Sequence, residues 1–95
     1  MQFLIIAHDG SDAEALDRRI SVREEHLVVA RRMKAEGMII LGGAILDDAG
    51  RMVGSSCVVE FPDRAALDAW LQGDPYVTGG VWRDIQVLPF RVAPL

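Results

Sequence analysis

The hydrophobic positions of this chain form short blocks that are separated by polar turns. Residues 2–7 contain the continuous apolar run 3–7, with β-branched and aromatic side chains, which predicts a strand buried on both faces. Apolar runs at 38–46 and 52–61 predict a second and a third strand, joined by a hairpin loop at 47–50. A last strand is predicted at 82–92.

The first helical region lies between the first two predicted strands. The composition of residues 13–20 predicts a short lead-in helix of about two turns. Ser21 and Glu24 have the spacing of a capping box, so we expect the main helix to begin at Ser21. Gly37 would end that helix after about Glu36, because glycine readily adopts the left-handed conformation needed there.

The second helical region follows the third strand. Apolar residues recur at helical spacing over 64–72, which predicts a helix that ends at 73–75. Residues 76–80 are expected to form a loop or a single turn. In the last strand the alternating apolar positions shift by one residue, from Ile85 and Val87 to Leu88, Phe90 and Val92. We predict a bulge near Pro89 to account for this shift.

The order of these elements is β-α-β-β-α-β, which predicts an α+β protein with a ferredoxin-like fold. In that fold an antiparallel sheet carries both helices on one face and leaves the other face bare. Because the first strand is apolar on both faces, we expect a second copy of the chain to cover the bare face. The predicted assembly is therefore a homodimer that forms through the sheet.

The composition supports that expectation. The 95 residues allow a single domain, over residues 1–95, and 51% of them are hydrophobic. A chain of this length buries only about 60 to 65% of the surface that its unfolded form exposes, so a monomer would leave apolar surface in water. Contact between two copies would remove part of that surface from water.

Charge and cysteine content bear on partners and compartment. Ten basic against fourteen acidic residues give a net charge of −4, which argues against binding to nucleic acid. No apolar stretch approaches the roughly 20 residues that span a bilayer, and residues 3–7 lack the basic flank of a signal peptide, so we expect neither a membrane span nor export. Cys57 is the only cysteine, so no intrachain disulfide forms, and we expect a cytoplasmic protein.

One histidine interrupts the apolar face of the main helix. At about 100° per residue, one stripe holds Val22, Val29, Ala30 and Met33, and His26 falls in the middle of it. A titratable ring directed at a sheet is either a core histidine bonded to a backbone carbonyl or part of a functional site. The spacing alone favours neither interpretation.

The predicted topology brings other reactive side chains to the same end of the sheet as His26. Asp74 follows the second helix, residues 8–9 follow the first strand, and Tyr76 and Trp82 precede the last strand. His26 and Asp74 could form a general acid–base pair, because a carboxylate fixes the imidazole tautomer and raises its basicity. This placement favours the functional interpretation of His26.

Other candidates are less specific. Phe3 joins Tyr76 and Trp82 as a candidate wall of an apolar pocket. A basic cluster precedes and opens the main helix, formed by Arg18, Arg19 and Arg23. We favour solvated arginines over an anchor for an anionic substrate there. Cys57 lies in an apolar strand, which favours a buried, inert thiol over a nucleophile.

Metal and nucleotide sites are disfavoured. The candidate metal ligands are His8, Asp9, His26 and Asp74. No H-x-x-H or similar spacing supports that set, so we expect no metal. The pair Gly42-Gly43 lacks the G-x-G-x-x-G pattern and precedes no helix, so we expect no nucleotide cofactor either.

A set of short motifs extends along the whole chain. They are residues 19–27 with R-x-x-H, Gly42-Gly43, Gly54-Ser55, Asp74-Pro75-Tyr76, Gly80-Val81 and Pro89-Phe90. In this order they resemble the YciI-like (YCII-related) proteins. The resemblance implies a ferredoxin-like fold that dimerises through its sheet, as in dimeric α/β barrels.

The same resemblance implies roles for individual residues. His26 and Asp74 match the pair proposed as acid–base residues in this family. Arg19, Arg23 and Asp9 match its other recurrent polar positions, whereas His8 and Glu24-Glu25 depart from its pattern. The candidate substrate-binding residues are therefore Arg19, Arg23, Asp9, His8, Tyr76 and Trp82.

Two classes of function follow from the resemblance. Some members of the family are dehydrochlorinases of a chlorinated hydroxyhydroquinone. This implies a cofactor-independent enzyme of the lyase or isomerase type, acting on a small phenolic or chlorinated aromatic substrate. The alternative is a non-catalytic module that keeps the pocket and binds a small ligand or another protein.

Overall fold

The computed structural model describes residues 1–95 and contains one four-stranded antiparallel sheet with helices on one face. The elements are β1 (Gln2–Asp9), α1 (Ala15–Ala35), β2 (Ile39–Leu46), β3 (Met52–Glu60), α2 (Arg64–Gly73), α3 (Pro75–Thr78) and β4 (Trp82–Phe90). The strand order is β2-β3-β1-β4, so β1 and β3 are central and the other two strands are edges. The predicted ferredoxin-like α+β fold is confirmed.

The hydrophobic core lies between the sheet and the helices. In β1 the side chains of Phe3, Ile5 and Ala7 are buried and alternate with partly exposed neighbours. Met33 of α1 and Leu67 of α2 pack into the same cluster. The helices therefore cover one face of the sheet only.

The opposite face of the sheet is apolar and uncovered in the single chain. Leu4 and Leu88 are Cα partners in the pairing of β1 with β4, on the face opposite Ile5, and Leu88 is exposed. Phe90 of β4 and Leu41 of the edge strand β2 are also exposed. These residues make the second side of the sheet an unpartnered apolar surface.

No helix is both long and apolar enough to cross a membrane.

Helix α1 corrects the prediction of a separate lead-in helix and a cap at Ser21. It is continuous from Ala15 to Ala35, and its N-cap, Glu14, makes no side-chain capping bond. The hydroxyl of Ser21 donates to the carbonyl of Arg18 at 2.7 Å, a bond that a serine makes inside a helix. No glycine or proline interrupts residues 13–21, so the helix passes through Ser21 and the capping-box spacing does not mark its N-terminus.

Strand β4 corrects the prediction of a bulge near Pro89. Pro89 pairs with Phe3 in unbroken register, and the irregularity lies at the other end, between His8 and Asp9. The apolar phase changes because Leu88 faces the uncovered side of the sheet while Val87 faces the core. Proline is tolerated here because β4 is an edge strand.

A close approach of backbone to backbone explains one glycine of β3. A Cβ atom added at Gly54 would clash with the carbonyl oxygen of Ala7 on the neighbouring strand. Only a residue without a side chain allows these two strands to pair at this point.

We therefore expect Gly54→Ala to lower the free energy of unfolding by about 1–3 kcal/mol, because the strands must separate to admit a methyl group. Gly73→Ala is the matched control, since a Cβ at the end of α2 meets nothing within 4 Å. Urea denaturation of both variants measures the difference. Equal stabilities would contradict the close approach of the two strands.

Candidate functional site

A cavity of about 580 Å³ lies between α1 and the strands β2 and β3. Its volume falls within the range of about 300–1,000 Å³ that is typical of small-molecule sites. Eleven of the 20 lining residues are hydrophobic, and the polar ones include His26, Arg23 and Ser55. The cavity is thus an apolar pocket with a few polar groups, as ligand sites commonly are.

His26 lines the cavity and contacts the buried carboxylate of Asp74, which lies behind it. The Nδ1 atom of His26 lies 2.9 Å from Oδ2 and 3.2 Å from Oδ1 of Asp74. The side chain of Asp74 is 1% exposed and that of His26 is 16% exposed, so the imidazole alone reaches the cavity. An ionised Asp74 accepts from Nδ1–H, which leaves the Nε2 lone pair of His26 free to accept a proton.

Asp74 is held by the backbone as well. It follows α2 and is the N-cap of α3, where its Oδ2 atom accepts from the backbone N–H of Tyr76 at 3.0 Å. Asp74 precedes Pro75, which starts α3. One carboxylate therefore caps a helix and orients the histidine ring.

Aromatic rings fix the plane of the imidazole. The His26 ring stacks on Tyr76 with centroids 3.8 Å apart and planes 10° from parallel. The indole of Trp82 meets the His26 ring edge-on, with centroids 5.7 Å apart. Burial raises the pKa of the Tyr76 phenol above its usual value, so this ring is neutral at physiological pH. The imidazole is thus confined between two walls that carry no charge.

A buried ion pair lies next to the Tyr76 and Trp82 rings. Arg19 and Asp9 have side chains that are 4% and 2% exposed, and Nη1 of Arg19 lies 3.1 Å from both Asp9 oxygens. Nη2 of Arg19 donates to the Ser55 hydroxyl at 2.9 Å, and the Trp82 indole N–H donates to that hydroxyl at 3.2 Å. The Arg19 guanidinium also lies 4.7 Å from the centroid of the Tyr76 ring.

The remaining cation near the histidine is unpaired. Arg23 lies one turn before His26 on α1 and lines the cavity. It is exposed and makes no hydrogen bond or ion pair within the chain. It differs in this respect from Arg19, whose charge is already matched by Asp9.

The structure does not bring every sequence candidate to the cavity. His8 is exposed, does not line the cavity, and follows Ile6 on the uncovered side of β1, so the structure does not bring it to the cavity. Phe3 is a core residue and not a cavity wall. Asp9 supports Arg19 and does not line the cavity itself.

Two further sequence expectations concern metal binding and Cys57. No three histidine, cysteine, aspartate or glutamate side chains lie close enough together to hold a metal ion. Cys57 is half-buried and lines the cavity, where burial raises the pKa of its thiol to about 12. At neutral pH this cysteine is therefore a neutral thiol and a poor nucleophile.

Several lining residues were missed by sequence reasoning. No sequence motif predicts a chemical role for Ser55. Only the structure shows that its hydroxyl accepts from two buried donors, Arg19 and Trp82. The stripe of α1 next to that of His26 could have been found from helical spacing alone. Besides the sequence candidate Arg23, its cavity-lining members are Leu27, Ala30, Arg31 and Lys34.

Comparison with known proteins identifies the family. Residues 1–91 match the YCII-related domain. The chain belongs to the YCII-related family. It is 34% identical over 97 residues to the protein YciI of Escherichia coli, with 96% of this chain and 97% of that protein covered. An uncharacterised protein of Haemophilus influenzae is 35% identical over 98 residues, with the same coverage.

Solved structures resemble the YCII-related chain over nearly its whole length. A 5-chloro-2-hydroxyhydroquinone dehydrochlorinase from Burkholderia phenoliruptrix, in complex with 2,5-dihydroxybenzoquinone, has a TM-score of 0.84 and 26% identity, with 98% of this chain and 96% of that chain covered. A dimeric ferredoxin-like protein of unknown function from Jannaschia has a TM-score of 0.51 and 18% identity, with 96% and 98% covered, which shows the fold alone.

The buried ion pair leads to a prediction about stability. Asp9→Asn leaves the Arg19 charge buried without its partner, so we expect the free energy of unfolding to fall by about 3–5 kcal/mol. Asp12→Asn is the control, because it breaks an exposed pair with Arg18 and should change stability little. Urea denaturation monitored by circular dichroism measures both variants. Similar losses for the two would mean that burial of the Arg19 charge is unimportant.

Proposed function

We propose that this YCII-related protein is a cofactor-independent acid–base enzyme for a small phenolic substrate, with His26 as the proton acceptor and Asp74 as its orienting partner. The observation that carries the proposal is the 2.9 Å contact from His26 Nδ1 to Asp74 in the wall of an apolar cavity. A histidine oriented by a buried carboxylate is a common general base. The 26% identical structural relative, a dehydrochlorinase, supports the choice of substrate class.

The proposed reaction begins with a proton transfer from the substrate to His26. The phenolic O–H of a bound substrate gives its proton to Nε2 of His26, and the resulting imidazolium is stabilised by the carboxylate of Asp74. On a chlorinated hydroxyhydroquinone, the imidazolium then returns this proton to the ring carbon that bears chlorine, which becomes a C–H carbon of a keto tautomer. Loss of a second hydroxyl proton to His26 expels chloride from that carbon, so that one molecule of HCl is lost and a hydroxyquinone is formed. This elimination balances without any external oxidant. An isomerase would use the same proton acceptor.

The surroundings of the pair suit such a substrate. Tyr76 and Trp82 offer aromatic walls, and Arg23 offers an unpaired guanidinium for the developing phenolate. Arg19 contributes through position, because its charge is matched by Asp9 and it packs on the Tyr76 ring. Water reaches the His26 side chain only in part, which strengthens its interaction with Asp74.

The proposal also includes a homodimer formed through the uncovered sheet face. Leu41, Leu88 and Phe90 expose apolar surface on or beside that face. An apolar patch of this kind is typical of an interface between subunits. The Jannaschia protein of the same fold is itself a dimeric ferredoxin-like protein.

Turnover of substituted hydroquinones tests the proposed chemistry. We expect His26→Ala to lower kcat about 10²- to 10⁴-fold, because the proton acceptor is lost. Asp74→Asn should lower kcat as well, since an amide no longer stabilises the imidazolium. His8→Ala is the matched control, a histidine outside the cavity whose loss should leave turnover unchanged. Full activity of both site variants would refute the assignment, and ligand binding without any turnover would favour the non-catalytic module.

Sedimentation equilibrium tests the proposed dimer. At micromolar concentration we expect a mass of twice 10.4 kDa, and we expect Leu88→Glu to shift the protein toward monomer by placing a charge on the apolar face. Val28→Glu is the control, because Val28 is an exposed apolar residue of α1, on the helical side. A monomeric wild-type protein would be inconsistent with the interface.

A further inference from the structure

The charge of the cavity is opposite to that of the chain. The protein carries a net charge of −4, yet no aspartate or glutamate lines the cavity. Four basic residues do line it, namely Arg19, Arg23, Arg31 and Lys34. An excess of one sign in a pocket with apolar walls concentrates ligands of the opposite sign. The preferred ligand is therefore an anion.

Three of the cavity-lining cations of α1 lack a buried partner, and they lie toward the two ends of one stripe. Arg23 is one turn from His26, whereas Arg31 and Lys34 follow two to three turns later on the same side of the helix. Leu27 and Ala30 lie between them. With about 1.5 Å of rise per residue, the Cα atoms of Arg23 and Lys34 are separated by about 16 Å along the helix. The stripe is thus basic at both ends and apolar in the middle.

The volume of the cavity exceeds what a single ring needs. An apolar cavity of about 150 Å³ holds benzene. The cavity here measures about 580 Å³ and continues along β2 as far as Ile39 and Ile40, beside the end of α1. A phenol bound at His26 would leave most of this volume to the rest of the ligand.

Arg31 and Lys34 are both free enough to bind an anion. Arg31 reaches back along α1 to Glu24 at 3.1 Å, so it must leave Glu24 to join Lys34. The two side chains are 64% and 75% exposed, and such surface pairs are weak enough to be exchanged for an anion. Lys34 donates one hydrogen bond to the carbonyl of Ile40 at 2.6 Å, which leaves two of its three N–H donors. That bond also anchors the ammonium group at the far end of the cavity.

We propose that Arg31 and Lys34 form a distal carboxylate subsite, and that the ligand is an extended organic acid with an apolar body. Its hydroxyl end lies at His26 and Arg23, and its carboxylate lies at the other end of the α1 stripe. The orientation of this ligand rests on the proposed function of His26, whereas the subsite itself does not. It extends the substrate class from a small phenol to a longer phenolic acid.

Equilibrium binding tests this directly. Trp70 and Trp82 are the only two tryptophans and both line the cavity, so quenching of intrinsic fluorescence reports occupancy. The probes are 4-hydroxyphenylalkanoic acids of increasing chain length, each with its methyl ester. We expect acids to bind about tenfold more tightly than their esters once the chain is long enough to reach the subsite. Equal affinity of acid and ester at every length would overturn the proposal.

Variants of α1 locate the carboxylate. Arg31→Gln and Lys34→Gln should each weaken binding of the best acid about five- to tenfold and leave its ester unchanged. Arg32→Gln is the matched control, because Arg32 is exposed on the same helix and does not line the cavity. Far-UV circular dichroism verifies that each variant is folded. An equal loss in Arg32→Gln, or no loss in the other two, would overturn the subsite.

The subsite and the proposed chemistry can fail separately, because one is tested by binding and the other by turnover. If acid-selective binding depends on Arg31 and Lys34 but His26→Ala retains full activity, the subsite stands and the proposed chemistry falls. If His26→Ala abolishes turnover of small phenols while acids and esters bind alike, the chemistry stands and the subsite falls.

Discussion

The buried ion pair between Arg19 and Asp9 is the interaction on which the rest of the site depends. A guanidinium can be removed from water only where a carboxylate and further acceptors receive it, and here Asp9 and Ser55 do so. Because Asp9 ends β1, Arg19 belongs to α1 and Ser55 belongs to β3, the pair fixes the first turns of the helix over the sheet. The rings of Tyr76 and Trp82 then contact this network, and His26 packs against both rings.

Much of this arrangement follows from the order of hydrophobic blocks in the sequence. The β-α-β-β-α-β order leaves few ways to connect the elements, and it brings the start of α1 and the end of α2 to one end of the sheet. For that reason the sequence alone predicts that His26 and Asp74 lie close together. The interruption of an apolar stripe by one histidine was the signal that mattered most.

What the sequence could not supply was the side of the sheet that each residue faces. In β1 the side chains of Leu4 and Ile6 are as apolar as that of Ile5, so composition does not distinguish the core face from the uncovered face. His8 was therefore grouped with the cavity although it follows Ile6 in phase. The same ambiguity made the change of phase before Pro89 resemble a bulge. The capping-box spacing at Ser21 failed for a different reason, because a local motif does not end a helix whose preceding turn is also helical.

Asp74 has two tasks, one in the site and one in the fold. Its carboxylate orients His26, and it also caps α3 by accepting the N–H of Tyr76. A YCII-related chain that lost all enzymatic activity would still be selected to keep this aspartate for the sake of its fold. The imidazole at position 26 packs on Tyr76 but caps no helix, so the backbone does not require it in the same way. When YCII-related sequences are sorted into enzymes and binding proteins, the residue at position 26 is therefore the informative one, and the aspartate is not.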